Sequence, residues 1–156
     1  MRNISFMTGI ALLLNSFVLD STIVKNESIS ELSCYEIKNK DISHNDFNIW
    51  VVTNEVTLDE LFTAGDCAEK PDFEKQLVVA LKVETALNSY RVDYKKITSV
   101  GNTINVYFHV VKQGARTEDA SSPVAMTTVP RDSNTRKINF YHDNVLVKTV
   151  PIVAVY

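Results

Sequence analysis

The stretch "KQLVVALKV", residues 75–83, constrains the fold more than any other. Successive side chains of an extended chain point to opposite faces. Leu77, Val79, Leu81 and Val83 therefore share one face, while Val78 and Ala80 keep the other apolar as well. A strand that is apolar on both faces belongs in the interior of a sheet, and here that means a central strand.

The rest of the chain supplies further strands. "IWVVT" (49–53) is a short, β-branched, buried run. "SYRVDYKKI" (89–97) alternates, with Tyr90, Val92 and Tyr94 on one face and Arg91, Asp93 and Lys95 on the other. "INVYFHVVK" (104–112) turns Ile104, Val106, Phe108 and Val110 inward. "VAMTTV" is a strand closed by Pro130, and "KINFYHDNVLVKTV" is a hairpin with His142, Asp143 and Asn144 at its turn. Gly101-Asn102 suits a turn that needs positive φ. "ELSCYEIKNK" (31–40) predicts one more strand, "DISHNDFN" (41–48) a turn, and residues 113–123 the longest polar loop.

Helix signals are confined to one place. Thr57 and Glu60 have capping-box spacing, Leu58, Leu61 and Phe62 form an i, i+3, i+4 apolar face, and Gly65 suits a helix end. The expectation is a mainly β fold. It is an antiparallel β-sandwich or partly open barrel, with one short helix near the N-terminus and a single domain over residues 31–156. Residues 22–30 are a linker or an edge strand.

Residues 1–21, "MRNISFMTGIALLLNSFVLDS", have a basic start and an apolar run from Ile4 to Leu19, as a secretory signal peptide does. Ser5, Thr8, Asn15 and Ser16 interrupt the run, and it falls short of the roughly 20 apolar residues of a membrane span. The expectation is export to the periplasm, the cell surface or the medium, with no membrane span once the signal is removed. In that setting Cys34 and Cys67, the two cysteines, can form a disulfide; the alternative is two separate thiols. Neither has a His or a second Cys at metal-ligand spacing, so the cysteines predict no zinc site.

The net charge of -3 and the lack of a basic, aromatic-studded patch argue against nucleic acid as a partner. The segment from Arg131 to Lys137 is the most basic and has the composition of a solvated loop. No Gly-rich phosphate loop and no G-x-S-x-G elbow is present. His44 lies in a polar loop, His109 on the outward face of its strand beside Asn105 and Tyr107, and His142-Asp143 in a hairpin turn that favours Asp and Asn for backbone reasons. No catalytic residue, metal site or cofactor is predicted from these.

Residues 70–151 resemble the C-terminal domain of the PrcB family, accessory subunits of an exported bacterial protease complex. "KPDFEKQLVVAL" is similar to the family's Pro-x-x-Asp-Phe entry into a central strand, although Pro71, Asp72 and Phe73 are contiguous here. "KVETALNSYRVDYKKI" stands where the family has Thr-Gly-Gly-Tyr before an alternating strand. Tyr90 is retained, and Asn88 and Ser89 replace the glycines. "SSPVAMTTVPR" is similar to the strand that ends in an Ile-Pro-Lys-like step, matched by Val129, Pro130 and Arg131.

The resemblance implies an exported, non-enzymatic domain that binds another protein, a protease among the candidates, through loops. On this reading Glu84, Thr85, Ala86, Leu87, Asn88, Ser89 and Tyr90 form the binding surface, with Gln113–Ser122 as a second loop. Two alternatives remain open. One is a protease inhibitor similar in logic to the chagasin type, whose Gly-rich and Arg-Pro-Trp loops are missing here; Trp50 lies in an apolar strand instead. The other is a small hydrolase using His109, His142 or Asp143.

Overall fold

The computed structural model describes residues 23–38, 47–83, 88–115 and 123–152. The signal-like leader, His44, and Glu84, Thr85, Ala86 and Leu87 of the expected binding loop lie outside the described residues, as does the second loop from residue 116 onward.

The doubly apolar strand is β6 (Gln76–Val83), and it is interior in its sheet. It lies between β4 (Phe47–Val52) and β9 (Ala125–Pro130), with β2 (Ser30–Leu32) beyond β9. Its two faces feed two separate cores. Leu77, Val79 and Leu81 pack with Val92, Ile97, Ile104, Val106, Phe108, Ile138 and Phe140 from the opposing five-stranded sheet. Val78 and Ala80 pack with Val52, Met126, Leu58 and Phe62 on the other side. The molecule therefore has three layers, and the four-stranded sheet is the middle one. Each large side chain so buried contributes about 1.5–3 kcal/mol.

The five-stranded sheet has the order β1 (Val24–Glu27), β7 (Asn88–Val100), β8 (Thr103–Ala115), β10 (Lys137–His142) and β11 (Val145–Pro151). Val24–Glu27 is thus an edge strand, not a linker. The two sheets face each other as a sandwich, and neither closes into a barrel. Tyr94 ties them together: its buried hydroxyl lies 3.0 Å from the Ala125 carbonyl and 3.2 Å from the Val79 carbonyl of the facing sheet. Burial pushes this phenol well above its ordinary pKa.

One ladder departs from the antiparallel expectation. β10 runs parallel to β8, with Lys137 opposite Thr103 and His142 opposite Phe108. The reason is the route of the chain. After β8 it crosses to the middle sheet as β9 and returns, so β10 enters in the direction of β8 rather than by a hairpin.

The third layer holds α1 (Glu55–Leu61) and a short ladder of β3 (Tyr35–Ile37) with β5 (Phe62–Ala64). The helix begins one turn earlier than the capping-box spacing predicts. Asn54 is the N-cap, its side-chain oxygen accepting the Thr57 N–H at 2.8 Å, and Thr57 lies inside the first turn. Nor does Gly65 end the helix: Phe62 is already extended, its ring drawn into the second core. Gly65 instead donates its N–H to the Cys34 carbonyl at 2.7 Å, and a Cβ there would stand 3.3 Å from that oxygen. Cys34, at φ 64°, breaks the expected 31–40 strand into β2 and β3. A disulfide joins Cys34 to Cys67, with Cα atoms 5.7 Å apart. Trp50 packs edge-on against Phe62, ring centroids 6.0 Å apart, on the same side of the middle sheet. Among the described residues no helix is long and apolar enough to cross a membrane.

Candidate functional site

The chemistry-bearing side chains gather where β10 stops. β7 and β8 form a hairpin that continues past His142, the last residue of β10, which is opposite Phe108. A two-residue turn, Asp143-Asn144, carries the chain into β11. Both residues have positive φ, 49° and 68°, the backbone of a type I′ hairpin turn. Asx residues tolerate this region, as the sequence suggests. The Asp143 N–H then reaches the Phe108 carbonyl at 3.2 Å, continuing the ladder one step beyond the strand.

This geometry brings His109 of β8 against the turn. The His109 ring Nδ1 donates to Asp143 Oδ1 at 2.6 Å, while His142 Nε2 lies 3.3 Å from the other carboxylate oxygen, Oδ2. The two imidazoles are close to parallel, with centroids 6.1 Å apart and planes at 21°. His142 is held from behind by Phe47 and Phe108, at centroid distances of 5.1 and 5.5 Å. The His109 hydrogen bond holds the Asp143 carboxyl below its ordinary pKa range. On β7 the cross-strand neighbour of His109 is Asp93, whose carboxylate pairs with Arg91 at 2.7 Å and with Lys95 at 3.8 Å. The hydrogen bond from Arg91 lowers the Asp93 pKa too.

Beside this cluster is the outer face of the five-stranded sheet, which no described layer covers. Lys96, Tyr107, Tyr141 and Leu146 are successive partners across β7, β8, β10 and β11 and form one row on that face. The two tyrosine rings stack at 4.8 Å and 15°, and Leu146 is 52% exposed. The next row is a hydrogen-bonded ladder. Thr149 donates to the Asn139 side-chain oxygen at 2.9 Å, Asn139 to that of Asn105 at 3.1 Å, and Asn105 to the Thr98 hydroxyl at 3.4 Å.

Asn88, Ser89 and Tyr90 are not loop residues. They belong to β7, in register with Ala115, Gly114 and Lys112, with a bulge between Ser89 and Tyr90. The β7–β8 hairpin runs longer than the alternation from Tyr90 suggests, because Gly114, at φ 154°, lets β8 accommodate the extra residue. Arg131, expected in a solvated loop, donates to the carbonyls of Thr53 and Phe73 at 3.0 and 2.7 Å and fastens three segments. In the sequence His109 stands on a strand and His142-Asp143 in a turn, candidates for the hydrolase alternative with nothing to place them together. Only the parallel ladder makes them neighbours, and no spacing rule carries that signal.

No family model, curated protein or solved structure matches the chain.

Proposed function

We propose that this chain is an exported, non-catalytic domain that binds another protein through the outer face of its five-stranded sheet. The observation that carries the reading is the row Lys96, Tyr107, Tyr141 and Leu146 on that open face. Tyrosine is enriched at the energetic centres of interfaces, where it supplies a large rigid surface with a polar tip. The adjoining Thr98–Asn105–Asn139–Thr149 ladder holds the sheet's polar groups in fixed positions, which lowers the ordering cost of docking.

The edge of β11 is a poorer candidate. Lys148 is in register with Phe140, on the core-facing side, and the ladder is bulged between Phe140 and Tyr141. Both features obstruct the addition of another strand. The matching partner presents an apolar side chain to Tyr141 and Leu146 and a carboxylate to Lys96. The Cys34–Cys67 disulfide supports export, since such bonds persist in oxidising compartments. An accessory subunit of an exported protease, as the PrcB resemblance implies, is one such protein.

The test is capture from the exported fraction of the source cells, followed by titration of the purified partner. Tyr107→Ala combined with Leu146→Lys should leave the fold intact by circular dichroism and weaken binding by at least about 30-fold, the loss expected at an interface hot spot. Unchanged affinity in the folded double variant would overturn the assignment. Dimerisation of the pure wild-type protein that the same variant abolishes would make the occupant a second copy of the chain and overturn the proposed partner.

A further inference from the structure

We propose that His109, His142 and Asp143 bind a borderline divalent transition-metal ion, with zinc as the reference. Each residue offers one ligand atom, and the three atoms lie within 4.8 Å of one another. Two imidazole nitrogens and a carboxylate oxygen are a donor set that suits zinc, copper(II) or nickel(II) and discriminates against magnesium and calcium, which prefer oxygen alone. Three protein ligands leave the fourth position of a tetrahedral ion for water.

Zinc–ligand bonds of about 2.0–2.2 Å place the ligand atoms of a tetrahedral site about 3.3–3.6 Å apart. His142 Nε2 and Asp143 Oδ2 already stand at 3.3 Å. With Oδ2 as the carboxylate ligand, His109 Nδ1 gives up its 2.6 Å hydrogen bond to the other oxygen, Oδ1, and turns to the ion as the metal replaces the proton. Both side chains can yield by rotation, being 45% and 54% exposed.

The scaffold holds the backbone of all three residues and the His142 ring in place, and leaves the His109 and Asp143 side chains to rotate. His142 is wedged against Phe47 and Phe108, the Asp143 backbone is fixed by its turn and by its hydrogen bond to Phe108, and His109 lies within the β7–β8 ladder. The neighbouring Asp93 is paired with Arg91 and Lys95, so it adds no uncompensated charge.

The experiment uses tag-free protein, stripped with chelator and titrated with zinc chloride in a calorimeter. Saturable binding of one zinc per chain is expected, with no binding of magnesium under the same conditions. His109→Ala and His142→Ala should each weaken zinc binding by at least about tenfold, the loss that even an outer-shell partner produces. Asp93→Asn should leave the stoichiometry unchanged. In the wild-type protein the ring ¹⁵N resonances of His109 and His142 should shift together with zinc, a readout that does not depend on the variants folding. Zinc binding that survives the double His variant, or imidazole resonances that do not move, would overturn the proposal.

Discussion

Replacing Cys34 and Cys67 together by serine removes a covalent link between residues separated by 33 positions. Both cysteines are exposed, so the new hydroxyls stay hydrated and add no burial cost. The effect then lies mainly in the unfolded chain, which regains the entropy of an open loop. For that separation the chain-entropy relation gives about 3.7 kcal/mol at 25 °C. In a domain of this size each 1 kcal/mol shifts the melting midpoint by about 2–4 °C, so the variant should melt roughly 7–15 °C lower.

The assay is calorimetric melting of the double serine variant beside the oxidised wild type, with reduced wild type as a second control. Amide exchange adds the location of any local loosening. The β3–β5 ladder is a two-stranded one of three register pairs that the disulfide flanks, so exchange at Phe62–Ala64 should accelerate more than at Val78–Leu81 in the middle sheet. A midpoint shift below about 3 °C would refute the loop-entropy reasoning, because it would confine the loss to about 1 kcal/mol.

Asn144, at φ 68° in the β10–β11 turn, should accept glycine at no cost, whereas Asn144→Val should lower stability by about 1–2 kcal/mol in urea unfolding. Equal stability of the two variants would rule out a left-handed requirement there. Asp93 and Asp143 both have carboxyls below the ordinary value of 3.8, through hydrogen bonds from Arg91 and His109 respectively. A depressed folded-state pKa stabilises the fold above the unfolded value and loses that contribution as pH falls through the folded value. The melting midpoint should therefore fall below about pH 4 on account of these groups, and the combined Asp93→Asn and Asp143→Asn variant should fall less steeply from pH 4 to pH 2. An identical acid profile for the variant would dissociate these pairs from stability.

Much of the fold is legible in short-range pattern, because strand faces and turns are local properties. The two apolar faces of residues 77–81 determined a central strand, and the alternations in 92–94 and 104–108 determined which side chains enter the core, whereas Tyr90, expected on the inward face, is only half-buried. Gly101 at φ 57° and the Asp143-Asn144 pair determined their turns for reasons of backbone sterics alone. The helix cap was less legible. The Thr57–Glu60 spacing points to a start one turn too late, and the structure caps the helix at Asn54, with Leu58 and Phe62 in the second core.

Tertiary structure decided the rest. Parity along a strand says which face a residue occupies but never which strand lies beside it. The parallel union of β8 and β10, made by a chain excursion through the other sheet, is a global property of the path. It stacks Tyr107 on Tyr141 and sets His109 beside His142 and Asp143, residues more than 30 positions apart. The sequence determined a mainly β fold, a sandwich or a partly open barrel, with a hairpin turn at or near Asp143-Asn144. The pairing of distant strands decided which side chains share the open face and the rim, since loop closure over such distances is repaid only when the whole sheet forms.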